Sequence, residues 1–591
     1  MSARRTWFPL APAGAPSKRA AVAAGAKKKG PIDPLTGPKQ AVAGRIVVMD
    51  DAFTVLPDGI VYIDQGNVIA VQNRAQPAPA GFADVAVVET GGTVLPGLID
   101  LHNHLSYNTL PLWAPVPKKF EHRGQWPNHK DYRPMISGPM TVIGEYRDAN
   151  GQPALLPALV RYIECKLLLG GVTTSQGVRL ASNAGIQRFY RGLVRNVEQT
   201  DESDLLEAQA RIPDLEAKDA KAFLARLRKE DSCFLLHLSE GVTDPTHPDS
   251  MARRHFLALE VAPGKWALND VFAGIHAAGL LPEDFDVLAQ HHSSMIWSPL
   301  SNLLLYGGTA RVEAARAAGV GIGLGSDWSP TGSKNLLGEL KVAWLYSQHA
   351  LSGLFNARDI VAIATRDAAR IVKWHQVLGS IVSGMRADLL VIDGAAGDAY
   401  DAVIHASETD IRLVMINGVA RYGVSELMAL LSPGGETVRV GGESRKLFLK
   451  QETADPNVAA VSLSTATTTM RDALRDIAKL AKKAEAPKPA AAKTRALDVP
   501  GPPIWSLVLD EIQDTGEELR PRLPLNGPRD FTGPAVAARR LALAAAPKLS
   551  TILKPIELDP LTVADDDKFL DQIEQQPNVP APIKNGLRTL Y

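Results

Sequence analysis

His102 and His104 stand at alternate positions at the end of the apolar run "PGLIDLHNH". In a strand, side chains at i and i+2 point to the same side, so the two imidazoles converge and can hold one metal ion. A bare HxH is more often a pair of core or solvent histidines. Here the Pro96-Gly97 turn and the apolar strand before the pair shift that balance, because they put it at a strand's C-terminal end. Other apolar runs end in similar chemistry. "FLLHLSEG" closes on His237 with Glu240 in the following loop, "VFAGIHAAG" carries His276, and "VGIGLGSDW" closes on Asp327. Taken singly, a loop histidine, a surface glutamate and a helix-capping aspartate explain each as well. As a set they do not, since an ionised carboxylate behind so apolar a strand needs a partner or a metal.

The elements that must position these groups follow from the surrounding pattern. Between 98 and 375, eight short apolar segments read as strands: "GLIDLHNH", "GVTTSQGV", "FYRGLVRNV", "LLEAQARI", "CFLLHLSEG", "VFAGIHAAG", "SMIWSPLSN" and "VGIGLGSDW". Helical stretches such as "DAKAFLARLRKE", "EDFDVLAQHH" and "ARVEAARAAG" lie between several of them. The alternation predicts an α/β fold, a closed (β/α)8 TIM-type barrel, with the candidate residues at the face where barrel active sites sit. Residues 40–97 and 376–442 are β-rich, with turns at Gly, Asp and Asn, and predict a small β-sandwich domain built from both flanks. Residues 1–39 read as a basic disordered tail, and 443–591 as a C-terminal extension with an amphipathic helix, a Pro/Ala/Lys linker and a Pro-rich wrapping segment.

Composition narrows the function classes. Lys+Arg and Asp+Glu both number 64, so zero net charge gives no reason to expect nucleic acid or an anionic membrane as partner. The most apolar stretch, 153–171, is interrupted by Arg161, Glu164 and Lys166 and reads as a buried helix, not a membrane span. The basic N-terminus lacks the continuous apolar core of a secretory signal. Cys165 and Cys233 sit in apolar contexts and read as two reduced, buried thiols of a cytoplasmic protein. The extension leaves room for a homo-oligomer.

The order HxH, HxxE, His, Asp over about 40–425, together with "GSIVSGMRADLLVID" and "VMINGVARYG", resembles the amidohydrolase superfamily, and within it the branch of cytosine and guanine deaminases and triazine hydrolases. The resemblance implies a metal held by His102, His104, His237 and Asp327, a proton-shuttling Glu240, and a His276 that polarises the substrate. Elementary chemistry agrees: three imidazoles and a carboxylate suit Zn2+, or Fe2+, better than Mg2+ or Ca2+. Such an ion generates hydroxide near neutral pH, Asp327 and Glu240 can carry its proton, and His276 can stabilise developing charge. No lysine precedes Lys218 around the fourth strand to bridge a second metal, so one divalent ion per chain is expected.

The expected reaction is hydrolysis of a carbon–nitrogen bond, in an amide or an amino-heterocycle, of a small-molecule substrate. Loss of another leaving group (a lactone oxygen or a halide) at the same site is the alternative. A non-catalytic barrel scaffold is the third reading, against which stands the full set of ligand-type residues. One segment departs from the resemblance. Where those relatives read "HCPxSN" this chain reads "WSPLSN", with Trp297 as either core packing or a substrate wall, while Ser298, Ser301 and Asn302 can still hydrogen-bond at the rim. The long loop after the first strand carries Tyr107, Trp113, Phe120, Trp126 and Tyr132 and reads as a lid, with Tyr107 and Trp113 the candidate substrate contacts. His122 and His129 in that loop read as surface or substrate-side groups. His291 and His292 read as the end of a helix. The "DWSPTGSKN" loop is expected to line the same pocket.

Overall fold

The computed structural model describes residues 35, 37–149, 151–182, 187–190, 192–200, 202–211, 219–451, 456–486, 505–509 and 547–591. Nearly all of the basic N-terminal tail and most of the Pro/Ala/Lys linker lie outside the described residues.

The β-rich flanks meet in one sheet. Its nine strands run, from edge to edge, Glu436–Val440, Glu443–Leu447, Val419–Val424, Ile411–Ile416, Leu389–Asp393, Val87–Pro96, Gln40–Val47, Val55–Asp64 and Asn67–Asn73. The halves join where Leu389–Asp393 pairs antiparallel with Val87–Pro96, Leu389 opposite Pro96 and Asp393 opposite Gly92. The sandwich expected from two separate β segments is therefore a single ladder, because the last N-terminal strand is also the docking edge for the returning chain. Its second half runs on past 442, to Leu447. Alternating residues from both halves, among them Val42, Val61, Val94, Leu389, Val391, Leu413 and Met415, share one core.

Each of the eight segments read as barrel strands forms one: Leu98–Asp100, Val172–Ser175, Arg195–Asn196, Gln209–Arg211, Phe234–Leu238, Phe272–His276, Ser294–Trp297 and Gly321–Leu324. All pair in parallel within two ladders, the first three strands in one and the last five in the other. Among the described residues the expected closed ring is thus interrupted twice. Backbone bonds span the breaks: Ala208 N–H to Val197 O at 2.8 Å at the first, and Leu101 N–H to Leu324 O at 3.2 Å at the second. The first break falls where the strands shrink to two and three residues, as the sequence turns polar and charged around Asn196, Glu198 and Arg211. The second is bridged at the site itself, since Asp327 N–H donates to His102 O at 2.9 Å and His104 N–H to Asp327 O at 2.6 Å.

The helices follow their apolar stripes. Leu156–Leu169 is buried nearly all round, as expected of 153–171. Pro282–Gln290 ends at His291. The C-terminal extension wraps its own chain: Met470 and Leu474 of the helix Leu463–Arg475, and Ile583, Leu587 and Leu590 of Ala581–Leu590, enter the same core as the barrel helices. Cys165 and Cys233 are buried and unpaired, and burial pushes both thiols up. Among the described residues no helix is long and apolar enough to cross a membrane.

Candidate metal centre and pocket

His102, His104, His237, His276 and Asp327 come together at the C-terminal ends of their strands. The imidazole centroids of His102 lie 4.8 Å from His104, 4.7 Å from His237 and 5.0 Å from His276. Asp327 Oδ1 is 3.0 Å from His102 Nε2 and 3.4 Å from His104 Nε2, and His104 Nε2 is 3.2 Å from His237 Nε2. Ligands bound at the usual zinc distances, near right-angled or tetrahedral geometry, are themselves about 3.0–3.4 Å apart. His276 and Asp327 adopt left-handed backbone, φ 68° and 65°, as does Ser239 after the His237 strand. Such strain in residues other than glycine persists only where the surroundings hold it, and it gathers at functional sites.

The hydrogen-bond network fixes what each ring presents. Gln176 Oε1 accepts the Asn103 backbone N–H at 3.1 Å, so it is an acceptor for His102 Nδ1 as well, at 3.0 Å. His102 therefore carries a proton on Nδ1 and turns Nε2 toward Asp327. That buried Nε2 has no hydrogen-bond partner. With Asp327 Oδ1 3.0 Å away and the neighbouring imidazole nitrogens and carboxylate within a few ångströms, the residues present fit a divalent metal ion. Asn302 reads the same way at His276: its Oδ1 accepts from Thr309 Oγ1 at 3.2 Å and its Nδ2 donates to His276 Nδ1 at 3.1 Å. His276 then offers an Nε2–H to the pocket, 3.7 Å from Glu240 Oε2.

Burial sets the protonation states. It pushes His237 and His276 well below the usual imidazole range, which keeps both rings neutral. Burial also raises Glu240, against the opposing pull of Arg123, whose Nε lies 3.9 Å away. Tyr306 OH donates to Glu240 Oε1 at 2.7 Å and accepts from Trp126 Nε1 at 2.9 Å. For Asp327 burial acts upward too, but the His102 ring beside it outweighs that and holds the carboxylate below its ordinary range.

A small pocket opens onto this cluster, lined by His104, His237, His276, Glu240, Asp327, Arg123 and the aromatic rings of Tyr107, Trp126, Tyr132 and Trp328. Three of those rings come from the long loop after the first strand. Arg123 N–H donates to Glu240 O at 3.1 Å, which ties that loop to the one after the His237 strand. The other candidates lie elsewhere. Trp113 packs inside the loop against Phe120 and Tyr132 and is outside the cavity lining. Trp297 is fully buried, its Nε1–H donating to Thr309 Oγ1 at 2.8 Å and its ring against Tyr346 and Phe355, so of its two readings it occupies the core one. Ser298 is buried beside it, outside the lining, and Asn302 reaches the pocket only through His276.

The amidohydrolase family pattern matches residues 93–421, more than half of the sequence. The chain belongs to the amidohydrolase family. It is a metal-dependent hydrolase of carbon–nitrogen bonds. Among similar proteins, this amidohydrolase is 24% identical over 431 residues to a 5-methylthioadenosine/S-adenosylhomocysteine deaminase of Desulfitobacterium hafniense (strain DSM 10664 / DCB-2), a match covering 66% of this chain and 95% of that one. It is 29% identical over 194 residues to an S-triazine hydrolase of Gordonia rubripertincta, covering 31% of this chain and 39% of that one. Among solved structures, a variant of the atrazine chlorohydrolase from Arthrobacter aurescens TC1, complexed with zinc and atraton, superimposes with a TM-score of 0.50 at 20% identity, covering 64% of this chain and 94% of that one. Family and neighbour together make the central fold of this amidohydrolase a TIM-type barrel. Arg123, Gln176, Tyr306 and Trp328 are the site residues that sequence reasoning did not single out. Only Trp328, next to Asp327, carried a signal of position.

Proposed function

We propose that this amidohydrolase holds one divalent ion, Zn2+ before Fe2+, through His102, His104, His237 and Asp327, and hydrolyses the exocyclic C–N bond of a planar amino-heterocycle. The observation that carries this reading is the convergence of His102 Nε2, His104 Nε2, His237 Nε2 and Asp327 Oδ1 within 3.0–3.4 Å contacts, with the His102 ring oriented through Nδ1 by Gln176. The bound ion would supply Lewis acidity and bring a water molecule toward ionisation near neutral pH. Asp327, held as carboxylate, takes up a proton from the nucleophile's side. Glu240, raised by burial and anchored by Tyr306, holds a proton at Oε2 and delivers it to the departing nitrogen. His276, kept neutral with Nε2–H inward by Asn302, donates to the atom where negative charge develops. The rings of Tyr107, Trp126, Tyr132 and Trp328 wall a space suited to a flat substrate, which favours an amino-heterocycle over an open-chain amide. The reduced, buried thiols support a cytoplasmic setting.

The test is ammonia release from adenine-, guanine-, cytosine- and triazine-type amines by zinc-loaded protein, with simple amides alongside. His237→Ala is expected to lose the metal. Glu240→Gln is expected to keep it while turnover falls by roughly 10²–10⁴-fold. Full activity of the Glu240 variant would remove its assigned role.

A further inference from the structure

The C-terminal extension carries a buried carboxylate that joins a lysine bonded to two of the loops lining the pocket. Asp559 is 2% exposed. Its Oδ2 is 2.5 Å from Lys166 Nζ and its Oδ1 is 2.5 Å from Lys334 Nζ, while Lys334 also meets Asp566 Oδ2 at 2.7 Å. The extension is pinned there by its backbone as well: Asp559 N–H donates to Thr109 O at 3.0 Å, and Tyr162 OH donates to Asp559 O at 2.6 Å.

Lys166, on the helix Leu156–Leu169, uses all its donors. Besides Asp559 it donates to Asn108 O at 3.0 Å and to Ser329 Oγ at 2.7 Å. Asn108 follows Tyr107 and Ser329 follows Trp328, and both of those rings wall the cavity. The two loops are tied together again by Ser329 N–H donating to Asn108 Oδ1 at 3.0 Å. From there the network continues inward: Asn108 Nδ2 donates to Asn103 Oδ1 at 2.8 Å, and Asn103 Nδ2 to Asp100 Oδ2 at 3.0 Å and Ser326 Oγ at 2.9 Å. Burial draws Lys166 down, to about 8, against the upward pull of Asp559. Lys334, with two carboxylates, is raised. The ammonium that grips the loops thus depends on its single carboxylate partner to stay charged.

We propose that Asp559 is a positioning residue of the pocket: through Lys166 it holds the loops that carry Tyr107 and Trp328. It touches neither substrate nor ligand-type side chain. The inference rests on reading this pocket as the active site, and it lies in the C-terminal extension, outside the 93–421 family match.

Three preparations of the full-length protein test it: Asp559→Asn, Asp559→Glu, and the charge-balanced double variant Lys166→Met with Asp559→Leu, which keeps the Lys334–Asp566 pair. Hydrogen exchange is measured on peptides spanning 105–113 and 326–334, with 234–238 and 272–276 as internal controls. Asp559→Asn is expected to speed exchange in the two loops and leave the control strands and the zinc content unchanged. For whichever amine releases ammonia, its KM is expected to rise roughly tenfold to a hundredfold with a smaller change in kcat, and Asp559→Glu to recover part of the loss. If Asp559→Asn does not fold, the double variant is expected to fold and show the same loop exchange. Wild-type exchange in both loops, or an unchanged KM, overturns the proposal. So does failure of both variants to fold, since Asp559 is then a determinant of folding alone. If no amine is turned over by wild-type protein, the functional reading fails while the exchange pattern still decides this one.

Discussion

At the scale of residues, the protonation of one ring decides the chemistry. Gln176 Oε1 is fixed as an acceptor by the Asn103 amide and so commits His102 Nδ1 to donate. Removing that partner frees the ring to rotate and to change tautomer. Gln176→Ala is expected to weaken zinc binding about 10–100-fold without unfolding the protein, measured by competition with a chromogenic chelator. Much of this scale was legible in the sequence. His102, His104, His237, His276 and Asp327 each follow an apolar run, although the first strand ends at Asp100 and leaves His102 and His104 in the turn beyond it rather than at alternate strand positions. Gln176, Tyr306 and Arg123 were not legible, because a polar residue in a loop or on a helix bears no mark of the histidine or carboxylate it will meet. Trp297 misleads in the opposite sense. It stands beside the rim by sequence, yet its ring fills the space between Tyr346 and Phe355.

At the scale of elements, the first and eighth strands must approach closely for the ligands they carry to meet. Gly325 makes that approach possible: a Cβ there would lie 2.4 Å from His102 Cβ and 2.8 Å from His102 N. Both atoms belong to His102, whose backbone is hydrogen-bonded to Asp327, so the two segments would have to separate. Gly325→Ala is expected to destabilise the fold by about 1–3 kcal/mol and to weaken zinc binding, read by urea melts and metal titration. The eight strands were visible as short apolar segments. The break between the third and fourth strands was not, because those strands shorten in ways that an apolar segment a few residues longer conceals. The single nine-stranded sheet was likewise hidden, since pairing of Val87–Pro96 with Leu389–Asp393 joins residues some 300 positions apart and leaves no periodic trace in either.

At the scale of the whole molecule, the extension and the barrel are one core, and its buried charges make stability depend on pH. Glu339 is fully buried on the helix Leu336–Ala350. It accepts from Leu300 N–H at 2.8 Å and from Ser333 Oγ, and burial raises its carboxyl to about 8. The folded state therefore holds a proton that the unfolded state releases near its ordinary value of 4.5. The stability this proton provides is complete below about 4.5 and is lost as pH rises through about 8. Urea melts at pH 5 and pH 8, in wild type and in Glu339→Gln, should show the wild type losing more stability on going to the higher pH. Equal losses would mean that Glu339 ionises as an ordinary glutamate. Asp559 in "ELDPLT" looks like any surface acid until the fold sets it between Lys166 and Lys334.

The central claim is one divalent ion held among His102, His104, His237 and Asp327, and elemental analysis of exhaustively dialysed, zinc-loaded protein tests it most directly. One equivalent of zinc per chain is expected in wild type, one in Glu240→Gln, and none in His237→Ala. Two equivalents bound in the barrel, or a folded wild type that retains none, would contradict it.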